Sequence, residues 1–432
     1  MDPSRRSARQ IALCLVDTAW RVESLGECID PLLDDKAPDA EGLARYLIDR
    51  TPDRSPSVER LTDLLLEHER LAIWLRSRPR FTLRPGDQGM QPAPPNLITF
   101  PLPNIPNRHH LAQWLGLSDS ELDWFTGLGR RDDPHAPEAL RHYRYRWIER
   151  PGREPRLLEI PKPRLKALQR QILEDLLYRV PIHDAAHGWR PQRSCVSAAL
   201  PHCDRPVLLR LDLRHFFHAI SFPRVRGLFL MLGYPHDVAT ALAGLCTHRT
   251  PTTINARLSP AHRQQLRSRH LPQGAPSSPY LANLCCWRLD SRLAGLARSQ
   301  GLNYTRYGDD MALSGPRALT RGGEFFSTLV GAIALEEGFE LNHRKTRCQT
   351  QASRQAFCGV VVNRHPNINR QDFDRLKAIL TNCLRHGPDS QNRDRHQDFR
   401  AHLAGRIAHI QQLNPQRGLK LRRLWDRIDW GD

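Results

Sequence analysis

The chain has 432 residues, 40% of them hydrophobic, which is enough to bury a sizeable core in two or three globular units and too apolar for a disordered chain. Its formal net charge of +18 and pI near 10.0 favour a partner with dense negative charge, either nucleic acid or an anionic membrane surface. No apolar run approaches the roughly 20 residues of a spanning helix, and the opening MDPSRRSARQIALCLVDTAW is too short and mixed in its apolar stretch for a secretory leader, so a soluble cytoplasmic protein is expected.

Residues 1 to about 90 read as helical. SPSVERLTDLLLEHERLAIWLRSR opens with Ser55 as cap and Pro56 as first helical residue, and puts Leu61, Leu65, Ala72 and Leu75 on one face. The prolines of QPAPPNLITFPLPNIPNR forbid regular helix and mark a linker over 91–106. HHLAQWLGLSDSELDWFTGL follows as two short helices, the second with a capping box of Ser118 and Glu121. In LRHYRYRWIERPGREPRLLEIPKPRLKALQR, alternating aromatic and basic residues around Pro151 and Gly152 predict a hairpin, then a helix from about Pro163. From Val207 short apolar strands alternate with helices near 223–233, 236–246 and 277–297, the signature of an α/β or α+β unit. After Asn363 the period is helical, with stripes of Phe373, Leu376, Leu380, Cys383 and Leu384, and of Phe399, Leu403, Ile407 and Ile410. The 10 cysteines include no C-x-x-C pair, and the adjacent Cys285 and Cys286 sit in an apolar run, so reduced thiols with neither zinc nor disulfide are expected.

LNYTRYGDDMALSG places Asp309 and Asp310 side by side in what otherwise reads as a buried strand, and VLLRLDL puts Asp212 inside another. Adjacent buried carboxylates repel and shift toward protonation unless a cation lies between them or a turn exposes them to water. Carboxylates at two strand ends are what magnesium needs, since it takes hard oxygen ligands and substrate phosphates. Two such ions can stabilise the attacking and leaving oxygens of a phosphoryl transfer. Taken singly, the Asp pair also fits a loop, and Asp212 a turn or helix cap.

Order and context decide between these. Asp212 is followed by Phe216 and Phe217, then LPQGAPSSPYLAN, Tyr307-x-Asp309-Asp310, LNHRKT and FCGVVVN. In this order the elements resemble the polymerase motifs of reverse transcriptases, and the flanking sequence resembles the bacterial retron-type branch, from about Leu111 to Trp430. The resemblance implies an α+β right-hand polymerase with an N-terminal helical extension (1–90), the linker, fingers (107–200), palm (201–365) and a helical thumb (366–432). It implies RNA-directed DNA synthesis with two Mg²⁺ ions, for which Mn²⁺ substitutes. The partners are then deoxynucleoside triphosphates, a structured non-coding RNA as template and primer, an RNA-linked DNA product and an effector protein in anti-phage defence, with no membrane.

By the same resemblance Asp212, Asp309 and Asp310 are the catalytic carboxylates and, with the Leu213 carbonyl, the metal-binding set, Asp212 and Asp309 as the direct ligands and Asp310 the more peripheral. Phe217 lies under the sugar of the incoming nucleotide, one of the two phenylalanines being plain core. Gln273 and Gly274 form the turn against template and nucleotide, and Lys345 donates a proton to pyrophosphate, unless it is a solvated lysine at a strand edge. Arg156 and Lys162 clamp the triphosphate. Arg190 and Arg193 contact template, with His187 equally readable as a buried, satisfied histidine. Arg375, Lys377, Arg385, Arg400 and Arg406, opposite the apolar stripes, hold a duplex by its backbone. Gly308 stands where retron enzymes usually have alanine, a small-for-small exchange. INARLSPAH and FCGVVVN match the branch hallmarks only loosely, so another bacterial reverse transcriptase lineage is the alternative, followed by a non-catalytic RNA-binding scaffold.

Overall fold

The computed structural model describes residues 3–15, 20–30, 33, 37–51, 56, 58–77, 101–128, 137–149, 152 and 154–430. The expected cap at Ser55, most of the proline-rich linker, and Pro151 and Arg153 of the hairpin turn lie outside the described residues. The chain divides into two compact units, Met1–Gly89 and Met90–Asp432.

The first unit packs helices Pro3–Leu15, Val22–Ile29, Ala40–Arg50, Val58–Glu67 and Glu69–Ser77 around Ile11, Leu15, Leu25, Leu43, Leu47, Leu61 and Leu71. The run from Val58 to Ser77 is broken where one continuous face was expected. The His68 ring interrupts it, accepting the Leu71 N–H at Nδ1 (3.3 Å) as a cap for the second helix, while Leu61, Leu65, Ala72 and Leu75 are all buried.

In the second unit helix Asp119–Thr126 starts at the capping box of Ser118 and Glu121. Strands β1 (Tyr143–Ile148) and β2 (Arg156–Pro161) form the antiparallel hairpin, from Tyr143 opposite Pro161 to Ile148 opposite Arg156. Helix Pro163–Gln171 follows with Pro163 in its first turn. The main sheet holds β3 (Val207–Asp212), β4 (Asn303–Tyr307), β5 (Asp310–Gly315) and β6 (Arg347–Thr350) in the order β4-β5-β3-β6, all neighbours antiparallel. Five of the six β3 residues are buried, as suits a central strand. Helices Phe222–Met231, His236–Cys246, Ser278–Cys285, Trp287–Ser299 and Gly323–Glu336 contribute to the core, where Leu209, Leu211, Phe229, Leu242, Leu281 and Leu293 meet. The single helix expected over 277–297 is two, because the chain turns out of the α region at Cys286 (φ −88°, ψ 4°).

FCGVVVN becomes a small hairpin of β7 (Ala356–Phe357) and β8 (Val360–Val361). Helices Arg370–His386, Phe399–Leu413 and Pro415–Trp425 then close on one another through Leu376, Leu380, Leu403, Ile407, Ile410 and Leu421. Helices mixed with separate antiparallel sheets make the chain α+β. Among the described residues no helix is long and apolar enough to cross a membrane.

Candidate active site

β4 and β5 are joined by Gly308 and Asp309 alone, with Tyr307 paired to Asp310. A two-residue hairpin needs a left-handed residue, and Gly308 supplies it at φ +66°. Asp310 opens β5 directly opposite Asp212, the last residue of β3. The Leu213 N–H donates to the Asp309 carbonyl (2.9 Å). All three expected carboxylates therefore share one end of the sheet.

Their charges are unequally matched. Asp212 is buried, accepting from Lys345 Nζ at Oδ2 (2.6 Å) and from Asn342 Nδ2 at Oδ1 (3.2 Å). The Arg210 guanidinium meets both Asp310 oxygens, at 2.8 and 2.9 Å. Among the described residues the Asp309 carboxylate has no ion-pair partner within 4 Å. Burial, then the neighbouring Asp212 and Asp310, push its pKa up, and its own backbone N–H and the more distant Lys345 offset only part of this. Three carboxylates with two cations leave one half-buried negative charge unmatched, a donor set of hard oxygens suited to a divalent cation. Lys345 lies on a 3₁₀ turn, His343–Lys345, bound to Asp212 rather than solvated at a strand edge.

Phe216 is core, whereas Phe217 is half-buried with its ring centroid 5.5 Å from that of Trp189. Trp189 was not among the residues expected from HGWRPQRS, which were His187, Arg190 and Arg193. Its indole covers the hairpin turn so closely that a Cβ on Gly308 would lie 2.6 Å from the ring, and one on Gly188 would lie 2.9 Å from the Gly308 nitrogen. Exchange of Gly308 for alanine is thus not neutral in this chain. Beneath the turn, Arg306 is fully buried against Asp290 (2.6 and 2.8 Å), Asn283 Oδ1 (3.0 Å) and the Gly308 carbonyl (3.0 Å). Asn283 in turn donates to the Gly188 carbonyl (2.7 Å), so one buried network holds both the turn and the segment that covers it.

Gln273 and Gly274 sit against β2. The Glu159 N–H donates to the Gln273 carbonyl (2.9 Å), and a Cβ on Gly274 (φ +140°) would meet the Glu159 carbonyl at 2.8 Å. Arg156 is half-exposed on β2. Lys162 departs from the expected clamp, its ammonium donating to the Glu138 and Ala139 carbonyls (3.0 Å each). Arg190 pairs with Asp184 (3.3 Å), and Arg193 approaches the same carboxylate (3.9 Å). His187 is buried and bonded to Ser197 Oγ (2.9 Å), its pKa pushed down to about 4 by burial, Arg193 and Arg190. In the C-terminal helices Arg375, Lys377, Arg385 and Arg400 are exposed, but Arg406 is only half-exposed. Burial, then Arg375, lower the Arg406 pKa.

The reverse transcriptase (RNA-dependent DNA polymerase) family profile matches residues 148–362, which include Asp212, Asp309, Asp310 and Lys345 but not the C-terminal helices. The chain is 38% identical to a protein named Retron Mx65 reverse transcriptase from Myxococcus xanthus, covering 79% of this chain and 77% of that one. It is 32% identical to Retron Mx162 reverse transcriptase from the same species (73% of this chain, 66% of that one). It is 31% identical to Retron Ec86 reverse transcriptase from Escherichia coli (55% and 69%). With the carboxylates gathered at one sheet end and relatives matched over most of their length, the chain belongs to the retron-type reverse transcriptases and is an RNA-directed DNA polymerase.

Proposed function

We propose that this polymerase copies a cognate structured non-coding RNA, starting from a hydroxyl of that RNA, so that the DNA product stays joined to its template. The setting is anti-phage defence with an effector protein as partner. The observation that carries the catalytic reading is the uncompensated Asp309, half-buried beside Asp212 and Asp310. Asp212 and Asp309, with the Leu213 carbonyl, would hold two magnesium ions or their manganese substitutes, and Asp310, neutralised by Arg210, stands at the edge of the site. Metal bound there supplies Lewis acidity at the attacking hydroxyl and the leaving oxygen.

The remaining roles belong to the chain itself. Phe217, backed by Trp189, faces the sugar and excludes a ribose 2′-hydroxyl. The Gln273–Gly274 turn, fixed to β2, carries the base pair being formed. Lys345, held at Asp212, stands where it can pass a proton to pyrophosphate. Arg156 grips triphosphate oxygens, while Lys162 braces the 138–140 turn behind it. Arg190 and Arg193 border the template path. Arg375, Lys377, Arg385 and Arg400 hold the duplex backbone, with Arg406 beneath them.

The test is to incubate the full chain with the RNA encoded beside its gene, Mg²⁺ and deoxynucleotides, without added primer, and to treat the product with ribonuclease and debranching enzyme. A mobility shift on debranching is expected. Synthesis only from an added 3′-hydroxyl primer, with no preference for that RNA, would overturn the RNA-linked product and leave the polymerase.

A further inference from the structure

Three acceptors converge in a fully enclosed space between β2, the loop after β3 and the segment before Gln273. They are Glu159 Oε2, His218 Nε2 and His270 Nε2, whose side chains are 0%, 5% and 0% exposed. His270 Nε2 lies 3.1 Å and His218 Nε2 3.7 Å from Glu159 Oε2, and all three atoms fall within 4.8 Å of one another. Donors arranged tetrahedrally around a zinc ion at ~2.0–2.1 Å are about 3.3 Å apart, close to the 3.1 and 3.7 Å that separate the two imidazole nitrogens from Glu159 Oε2.

The surrounding hydrogen bonds set which ring nitrogens carry protons. His262 Nδ1 faces the Glu154 carboxylate (3.0 Å) and therefore donates. In neutral His262 the Nε2 is then an acceptor, and it receives the Nδ1–H of His218 (2.8 Å). That relay leaves His218 Nε2 as a bare lone pair, and among the described residues it has no hydrogen-bond partner. His270 Nδ1 faces the Ser268 carbonyl (2.9 Å) and must donate, so in the neutral ring the Nε2 that meets Glu159 Oε2 at 3.1 Å is a lone pair as well. The other oxygen of Glu159 accepts from Thr250 Oγ1 (2.6 Å). Two imidazole lone pairs and a carboxylate oxygen thus point at one another out of water, a costly arrangement unless a cation lies between them. Each member also has the outer hydrogen bond that orients metal ligands: Glu154 through His262 for His218, the Ser268 carbonyl for His270, and Thr250 for Glu159. His248, the nearby alternative, has its Nε2 engaged by the Tyr145 hydroxyl (2.8 Å).

We propose that Glu159, His218 and His270 form a structural site for a divalent transition ion, zinc by its two-nitrogen, one-oxygen donor set. The site is separate from the carboxylates of β3 and β5 and takes a different metal, since magnesium prefers an all-oxygen shell. It joins three pieces around the nucleotide position: Glu159 backs the Gln273–Gly274 turn, His218 directly follows Phe217, and His270 leads into Gln273. The inference does not depend on which RNA is copied or how synthesis is primed.

The test titrates metal-stripped full-length protein with Co²⁺ in excess Mg²⁺ and follows the visible absorption of tetrahedral Co²⁺. One equivalent per chain is expected, displaced by Zn²⁺, with no sulfur-to-cobalt charge-transfer band and a raised thermal midpoint. His218→Ala and His270→Ala should each weaken binding at least ~10-fold, and Glu154→Gln, which frees the relay without touching a ligand, ~10-fold. Asp309→Asn should bind as the parent does. Absence of tetrahedral Co²⁺ in the parent chain would mean that a proton on His270 fills the gap, and would overturn the site. A thiolate band, or unchanged binding in Glu154→Gln and in whichever histidine variants fold, would equally overturn it.

Discussion

Two groups of charge, one fully buried and one half-buried, lie within a few residues of each other along β4 and β5, and they are built on opposite terms. Arg306 and Asp290 are both fully buried and matched one to one, with Tyr304 and Asn283 taking up remaining valences. Burial works against the Arg306 charge, but Asp290 more than restores it. Three residues further on, Asp212, Asp309 and Asp310 share, among the described residues, the two cations Lys345 and Arg210. A matched buried pair fixes a shape, and a mismatched set stores an affinity for what is missing. The charge balance, rather than burial as such, separates scaffold from chemistry at this sheet end.

The contrast is broken most sharply at Asp309. Asp309→Asn should lower nucleotide incorporation by at least ~10³-fold, about 4 kcal/mol of transition-state stabilisation. The fold should survive, and the thermal midpoint should hold or rise, because the change removes a repelled charge. Primer extension and a thermal melt on the same sample check both halves. A variant that unfolds, or that polymerises at the parent rate, would put Asp309 among the structural charges.

Arg306→Ala should do the reverse. Removing one partner of a buried pair leaves the other uncompensated, at ~3–5 kcal/mol of stability, and activity should fall with the folded fraction and with the loosened Gly308 turn that Arg306 holds. The double change Arg306→Met with Asp290→Leu should recover most of that stability, measured by denaturant unfolding. No such apolar replacement should rescue the carboxylates of β3 and β5.

How far this contrast could be read beforehand depended on sequence distance. Asp212, Asp309 and Asp310 stood out because charged residues in apolar strands are visible locally, as were the capping box at Ser118 and the stripes through Leu376 and Leu403. The partners that give the carboxylates their meaning were not visible. Arg210 meets Asp310 across 100 positions and Lys345 meets Asp212 across 133, the first pairing set by strand register and the second by the turn that precedes β6. The buried relay of His218, His262 and Glu154 spans 108 positions and leaves no periodic trace. Breaks at His68 and Cys286 were hidden for another reason: apolar spacing continues through both while the backbone does not.

Gly308 offers a smaller effect that sharpens the role of Trp189. Gly308→Ala puts an L-residue at φ +66°, at ~1–2 kcal/mol, and drives its methyl into the indole. Incorporation should drop ~10-fold, about 1.4 kcal/mol. Trp189→Phe added to Gly308→Ala should return part of it, since the smaller ring clears the methyl and the strained φ remains. Primer-extension rates of the single and double variants decide this. Equal losses with and without the second change would assign the whole effect to the backbone.

The smallest effect belongs to the mirror case, where positive charge is in excess. Burial disfavours the Arg406 charge, the nearby Arg375 adds to this, and Asp372 offsets only part of it. A surplus of negative charge at the sheet end fits a metal ion, and this surplus of positive charge fits a phosphate. Such contacts act on the backbone of nucleic acid, so their loss should weaken all duplexes alike. Arg375→Ala should lower RNA–DNA duplex affinity ~2- to 5-fold and reduce the slope of log affinity against log salt by about 1, the signature of one phosphate released. Fluorescence anisotropy at several salt concentrations, with two unrelated duplex sequences, gives both quantities. An unchanged slope, or a loss confined to one sequence, would show that Arg375 serves the helical packing or reads bases, and the excess of positive charge at this point would then have no nucleic-acid role.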